Sequence, residues 1–253
     1  MKPFFSLFSG IVVFIACVLF LPPSSIGQTP LKLTTLEWEP YIGAQLRGQG
    51  YVAQLVKLAF ATSEYDVKLS FFPWARTIQM ARENEYAGYL PEYYSEEVAK
   101  DFIFSDPFPG GELSFFKRKD DTINYSSLQD LTPYIIGVVR GYVNTPEFDE
   151  ATYLTKEEAS DDLQNLRKLL GNRVDLIVAD RYVVFHLMRT YLSDRTGEVD
   201  YIDPPLAQKQ LYLCISKNHP NAQAILASFN AGLKIIRQDG SLLRLIEKSF
   251  LHY

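Results

Sequence analysis

Apolar and polar positions along the chain alternate between two periods. In "DVKLSFF", Val67, Leu69 and Phe71 recur every second residue, the spacing of a half-buried strand. Just before it, Val52, Leu55, Val56, Ala59 and Phe60 recur at helical spacing. Ser160 and Asp161 can cap a helix that carries Leu163, Leu166 and Leu170 and stops at Gly171. "RVDLIVAD" then reads as a strand apolar on both faces, as in a parallel sheet covered by helices. Val183, Val184, Leu187 and Met188 mark the next helix. Ile225, Phe229, Leu233 and Ile236 form another stripe, and Leu242, Ile246 and Phe250 mark the last helix. The order predicts an α/β fold with largely parallel sheets, whose ligands sit beyond the carboxyl ends of the strands. "LEWEPYIG" lies at such an end. It places Trp38 and Tyr41 where the chain leaves a strand rather than along its buried face.

The first 27 residues change the picture of what folds. Lys2, the apolar run ending "FIACVLFLPP" and the small residues of "SSIG" predict a secretory signal peptide cut after Gly27. An uncleaved anchor and a lipoprotein acylated at Cys17 are the alternatives, and Phe14 and Ile15 fit the lipoprotein motif poorly. Setting residues 1–27 aside leaves 226 residues and 24 basic against 30 acidic side chains. That acidic balance argues against nucleic acid and anionic membrane surfaces as partners. One cysteine remains, Cys214 in "QLYLCIS", so burial rather than disulfides must stabilise the fold. Its apolar run predicts a core thiol and not a nucleophile. There is no phosphate-cradling glycine motif and no G-x-S-x-G elbow, and His186, His219 and His252 lack metal-ligand spacing. No cofactor or metal is expected.

Four segments in order carry a resemblance: "FIFSDPF", "IIGVVRGYVNTPEF", "LRKLLGNRVDLIVAD" and the tail from "YLCISKNHP" to "LIEKSF". Together they resemble the bacterial extracellular solute-binding proteins of family 3, periplasmic receptors for polar amino acids, over nearly all of residues 31–250. The resemblance implies a type II periplasmic-binding fold, in which two α/β lobes are joined by two crossing hinge strands. Lobe one would be residues 28–112 plus 207–253, and lobe two 113–206. A monomer would trap a small polar solute between them, and closure would be read by an ABC permease or a sensor protein in the inner membrane.

The resemblance also implies site residues. Aromatics after the first and second strands sandwich the ligand in this family, and Trp38 and Trp74 occupy those places. Flat rings offer large contact area and faces that attract cations. The other reading of both is core or hinge packing. Tyr41, Tyr89, Tyr93 and Tyr142 join them as candidates. Asp180 matches the aspartate that receives an α-ammonium group, and it is also placed to cap the next helix. One departure stands out. The arginine expected six residues before Phe104 is replaced by Val98, so the usual grip on a carboxylate is in doubt. Arg76 and Arg140 are the candidate substitutes, because a guanidinium fork suits a carboxylate. The alternative for each is a surface ion pair. Glu92 either favours a second cationic group on the ligand or faces solvent. The competing function is an enzyme resembling the cyclohexadienyl dehydratases, with Glu92 or Asp180 as general acid. A detached sensor domain is the third reading.

Overall fold

The computed structural model describes residues 28–250. The expected signal peptide, with Cys17, lies outside the described residues, as does His252. The first half of the chain runs β1 (Thr29–Thr35), α1 (Gly50–Ala59), β2 (Tyr65–Phe71), α2 (Trp74–Arg82), β3 (Gly88–Glu92), β4 (Phe102–Phe104) and β5 (Phe108–Arg118). Then come β6 (Ile135–Val139), α3 (Pro146–Asp149), β7 (Thr155–Ala159), α4 (Asp162–Leu170), β8 (Leu176–Asp180), α5 (Arg181–Tyr191) and β9 (Val199–Tyr201). β10 (Ala207–Ser216), α6 (Ala222–Gln238) and α7 (Ser241–Phe250) follow.

The strands form two lobes. In the first, β1 lies parallel between β2 and β3, and β10 runs antiparallel to β3 and β4. In the second, β6 lies parallel between β7 and β8, and β5 runs antiparallel to β8 and β9. β5 and β10 also pair with each other, antiparallel, through Phe108–Leu113 and Ala207–Leu211. Each therefore begins in one lobe and ends in the other, which makes them the two crossing strands that the resemblance implies.

The predicted periodicities place the core. Val52, Leu55, Val56 and Ala59 of α1 are buried against Ile225, Phe229 and Leu233 of α6. Gly232 permits that approach, because a Cβ there would sit 1.7 Å from the Ala59 carbonyl oxygen. All five residues of β8 are buried, as a strand apolar on both faces requires. Phe115, Ile136, Phe148, Leu176 and Val178 form a smaller core in the second lobe. Asp161 caps α4 by accepting from the Gln164 amide, and Gly171 ends that helix. Cys214 is a buried free thiol in β10. Among the described residues, no helix is long and apolar enough to cross a membrane.

Candidate functional site

The carboxyl ends of the parallel strands converge between the lobes. From the first lobe, the chain leaving β1 carries Trp38, Glu39 and Tyr41. Trp74 opens α2 after β2, and β3 ends in Glu92 followed by Tyr93. From the second lobe, Tyr142 follows β6, Asp162 opens α4 after β7, and Asp180 ends β8. Leu36, Trp38, Trp74, Pro91, Glu92, Tyr93, Tyr142, Val143 and Leu211 enclose a cavity with about 30 Å³ of space for water. That is room for roughly two water molecules. The lobes are closed on one another, so any solute larger than this must part them.

Aromatic contacts wall this cavity. Trp38 stacks on Tyr41 with centroids 4.5 Å apart and meets the edge of Tyr93 at 6.0 Å. Trp74 meets Tyr142 edge-on at 5.7 Å and Tyr89 at 5.6 Å. Several hydrogen bonds cross between the lobes. The Trp74 indole donates to the Gly141 carbonyl (2.9 Å) and the Tyr41 hydroxyl to Asp180 (3.0 Å). Lys209 of β10 donates to the Asn144 carbonyl, with its ammonium 4.5 Å over the Tyr93 ring. At the rim, Glu39 accepts from Tyr191 (3.0 Å) and lies 2.9 Å from Nε2 of His186.

Three carboxyl groups are buried here: Glu92, Asp162 and Asp180, at 4%, 5% and 3% exposure. Glu92 accepts from the Tyr89 hydroxyl (2.8 Å) and the Tyr93 amide (2.7 Å), so it does not face solvent. Asp162 accepts from Tyr142 at 3.4 Å. Asp180 caps α5 by accepting from the Tyr182 and Val183 amides (2.9 and 3.3 Å) while its other oxygen takes the Tyr41 hydroxyl. Burial pushes the Glu92 carboxyl up to about 7 against the lowering effect of its hydrogen bonds. Burial likewise pushes Asp180 up to about 7. For Asp162 burial is joined by the neighbouring charges of Asp180 and Asp161, again to about 7. Burial also lowers the Lys209 ammonium.

The candidates from sequence divide into three groups. Trp38, Trp74, Glu92, Tyr93 and Tyr142 line the cavity. Tyr41, Tyr89 and Asp180 stand behind that lining and hold it. Arg76 and Arg140 do not line it. Arg76 is exposed, its guanidinium 5.1 Å over the Phe72 ring. Arg140 is 71% exposed and paired with Glu158 at 2.6 Å, the surface ion pair that was its alternative reading. Val98 packs half-buried against the core of the first lobe. Sequence reasoning missed Asp162, Lys209 and the rim cluster of Glu39, His186 and Tyr191. Asp162 carried a weak signal, since a second acid directly follows the Asp161 cap.

A family model described as bacterial extracellular solute-binding proteins, family 3, matches residues 34–252. No curated protein matches the chain. Among solved structures, the GluR0 ligand-binding core from Nostoc punctiforme in complex with L-glutamate is 18% identical. It has a TM-score of 0.73, covering 87% of this chain and 99% of that one. A histidine kinase sensor domain with similarity to periplasmic binding proteins is 17% identical with a TM-score of 0.77, covering 87% and 96%. The substrate-binding protein AbpA of an amino acid ABC transporter from Streptococcus pneumoniae, bound to L-arginine, is 16% identical. Its TM-score is 0.71, covering 87% and 94%. At these identities the likeness is one of fold.

Proposed function

The chain belongs to the bacterial extracellular solute-binding proteins, family 3, and from that premise we propose that it traps a small polar solute between its lobes. Residues 28–112 with 207–253 form one lobe and 113–206 the other, and the protein acts as a periplasmic monomer exported by a cleavable signal. The observation that carries this reading is the closed cavity walled by Trp38, Trp74, Tyr93 and Tyr142 from both lobes. Such a wall is built to close on a ligand, because each ring gives large contact area at low entropic cost. The likeness to a transporter's binding protein and to a sensor domain supports either an ABC permease or a membrane sensor as the reader of closure.

The test is a thermal-shift screen over amino acids, oligopeptides, polyamines and organic acids. A solute at about 100 times its dissociation constant adds about 2.7 kcal/mol to stability. Both tryptophans of the chain line the cavity, so a binding solute should also change tryptophan emission strongly. With a solute found in that screen, Trp38→Ala and Trp74→Ala should each cost roughly 1–3 kcal/mol of affinity by calorimetry. Unchanged affinity alongside a large loss of stability would make both rings core packing.

The buried carboxyl of Glu92, held near neutral pH, favours one other reading. A carboxyl of that kind suits general acid catalysis on a cyclohexadienyl acid. Incubation with prephenate separates the two, because a receptor releases no aromatic product.

A further inference from the structure

The chemistry surrounding the cavity is one-sided. Glu92 lines it, and Asp162 and Asp180 stand directly behind its aromatic wall. All three lie close enough to Tyr93 to bear on its hydroxyl electrostatically. That hydroxyl is buried, in a side chain 8% exposed; no described group donates to its oxygen, and Asp180 lies near enough to draw its proton. A hydroxyl whose proton is drawn to a carboxylate keeps an oxygen that can accept. The side of the site that would hold an anion is missing. Among the described residues no arginine lines the cavity, and Arg76 and Arg140 lie outside it. The Lys209 ammonium bears on Glu92 electrostatically, but it is already engaged by the Asn144 carbonyl and the Tyr93 ring.

Resting on the solute-binding reading above, we infer that the trapped solute is a small organic ammonium ion without a carboxylate, an amine or diamine of about the size of a decarboxylated amino acid. A carboxylate enclosed here would lose its water among three carboxyl groups and gain no guanidinium in return. An ammonium gains the opposite. Its N–H donors meet Glu92 and the Tyr93 oxygen, to which no described group donates, and its charge meets the rings of Trp38 and Trp74, the strongest cation-binding side chains. Asp162 and Asp180 add attraction from behind the wall as the lobes close.

The test titrates the mature chain by calorimetry with matched pairs: 1,4-diaminobutane against ornithine, and phenethylamine against phenylalanine. At least one amine should bind roughly tenfold or more tightly than its amino acid. Glu92→Gln and Asp162→Asn should each weaken that amine by roughly tenfold or more, and should Glu92→Gln fail to fold, Asp162→Asn carries the comparison. An amino acid that binds as tightly as its amine overturns the inference, as does binding of only uncharged or anionic solutes. In either case the solute-binding reading stands. If no solute of the wider screen shifts the melting temperature or the tryptophan emission, that reading falls too.

Discussion

Raising the pH from about 5 to about 8 should open the empty cleft. In the closed form Glu92, Asp162 and Asp180 are each pushed up to about 7, mainly by burial. Opening returns these groups to water, where carboxyl groups ionise near 4. The closed form therefore holds more protons than the open form between roughly pH 4 and 7, and it is penalised as pH rises through that window. Below about pH 4 the penalty is absent. Above about 7 it is complete, on the order of a few kcal/mol for the cluster. Small-angle scattering should show a larger radius of gyration at the higher pH, with far-ultraviolet circular dichroism unchanged. The ammonium of Lys209 lies over the Tyr93 ring, outside the cavity lining, and His186 and Glu39 meet at the rim. His186→Gln removes the imidazole, and the opening should persist in that variant. A radius that stays constant across the range would mean the carboxyl groups do not oppose closure.

The second large effect is expected at Gly111 in β5. A Cβ at this position would lie 2.4 Å from both the Tyr41 hydroxyl and Oδ2 of Asp180. Those are the two atoms that join the lobes at 3.0 Å. Gly111→Ala should wedge them apart while Oδ1 of Asp180 still caps α5. Overpacking of this kind costs about 1–3 kcal/mol. The share of that cost carried by the closed form alone, the Tyr41 contact, weakens apparent solute affinity, by up to roughly 150-fold. The unfolding midpoint of the empty protein should fall by less than this, because opening removes the Tyr41 contact while the one with Asp180, beside Gly111 on the β5–β8 ladder, remains. Unchanged affinity would show that the Tyr41–Asp180 bond is no part of the liganded closed state.

Elements that follow from local pattern were legible in the sequence. The all-apolar run ending at Asp180 became the fully buried β8, and Asp161 and Gly171 bound α4 as their chemistry directs. Trp38 stands where the pattern ends a strand, while the place of Trp74 came from the resemblance. The orientation of Arg76 was readable and was overlooked. Trp74, Thr77 and Ala81 form the buried face of α2, and that spacing turns Arg76 outward. Asp162 was a different matter, because an acid in the first turn of a helix ordinarily faces water. Its burial under Tyr142 and Trp38 goes beyond the weak signal of two successive acids. Lys209 sits in "QKQ", which reads as a solvated strand face. The meeting of Glu39 with His186 spans 147 residues and depends wholly on closure.

The last turn of α7 has a consequence of its own. Phe250 packs against Tyr182 of the second lobe at 4.7 Å, and against Tyr41 and Tyr51 of the first at 5.4 Å each. Pulling the lobes apart takes Tyr182 off this ring, so the helix end is held from both sides only while the cleft is shut. Backbone amides in that turn then trade hydrogen for deuterium at a rate set by how often the hinge swings, although they lie in a helix outside the solute cavity. The C-terminal turn becomes a local clock for the hinge.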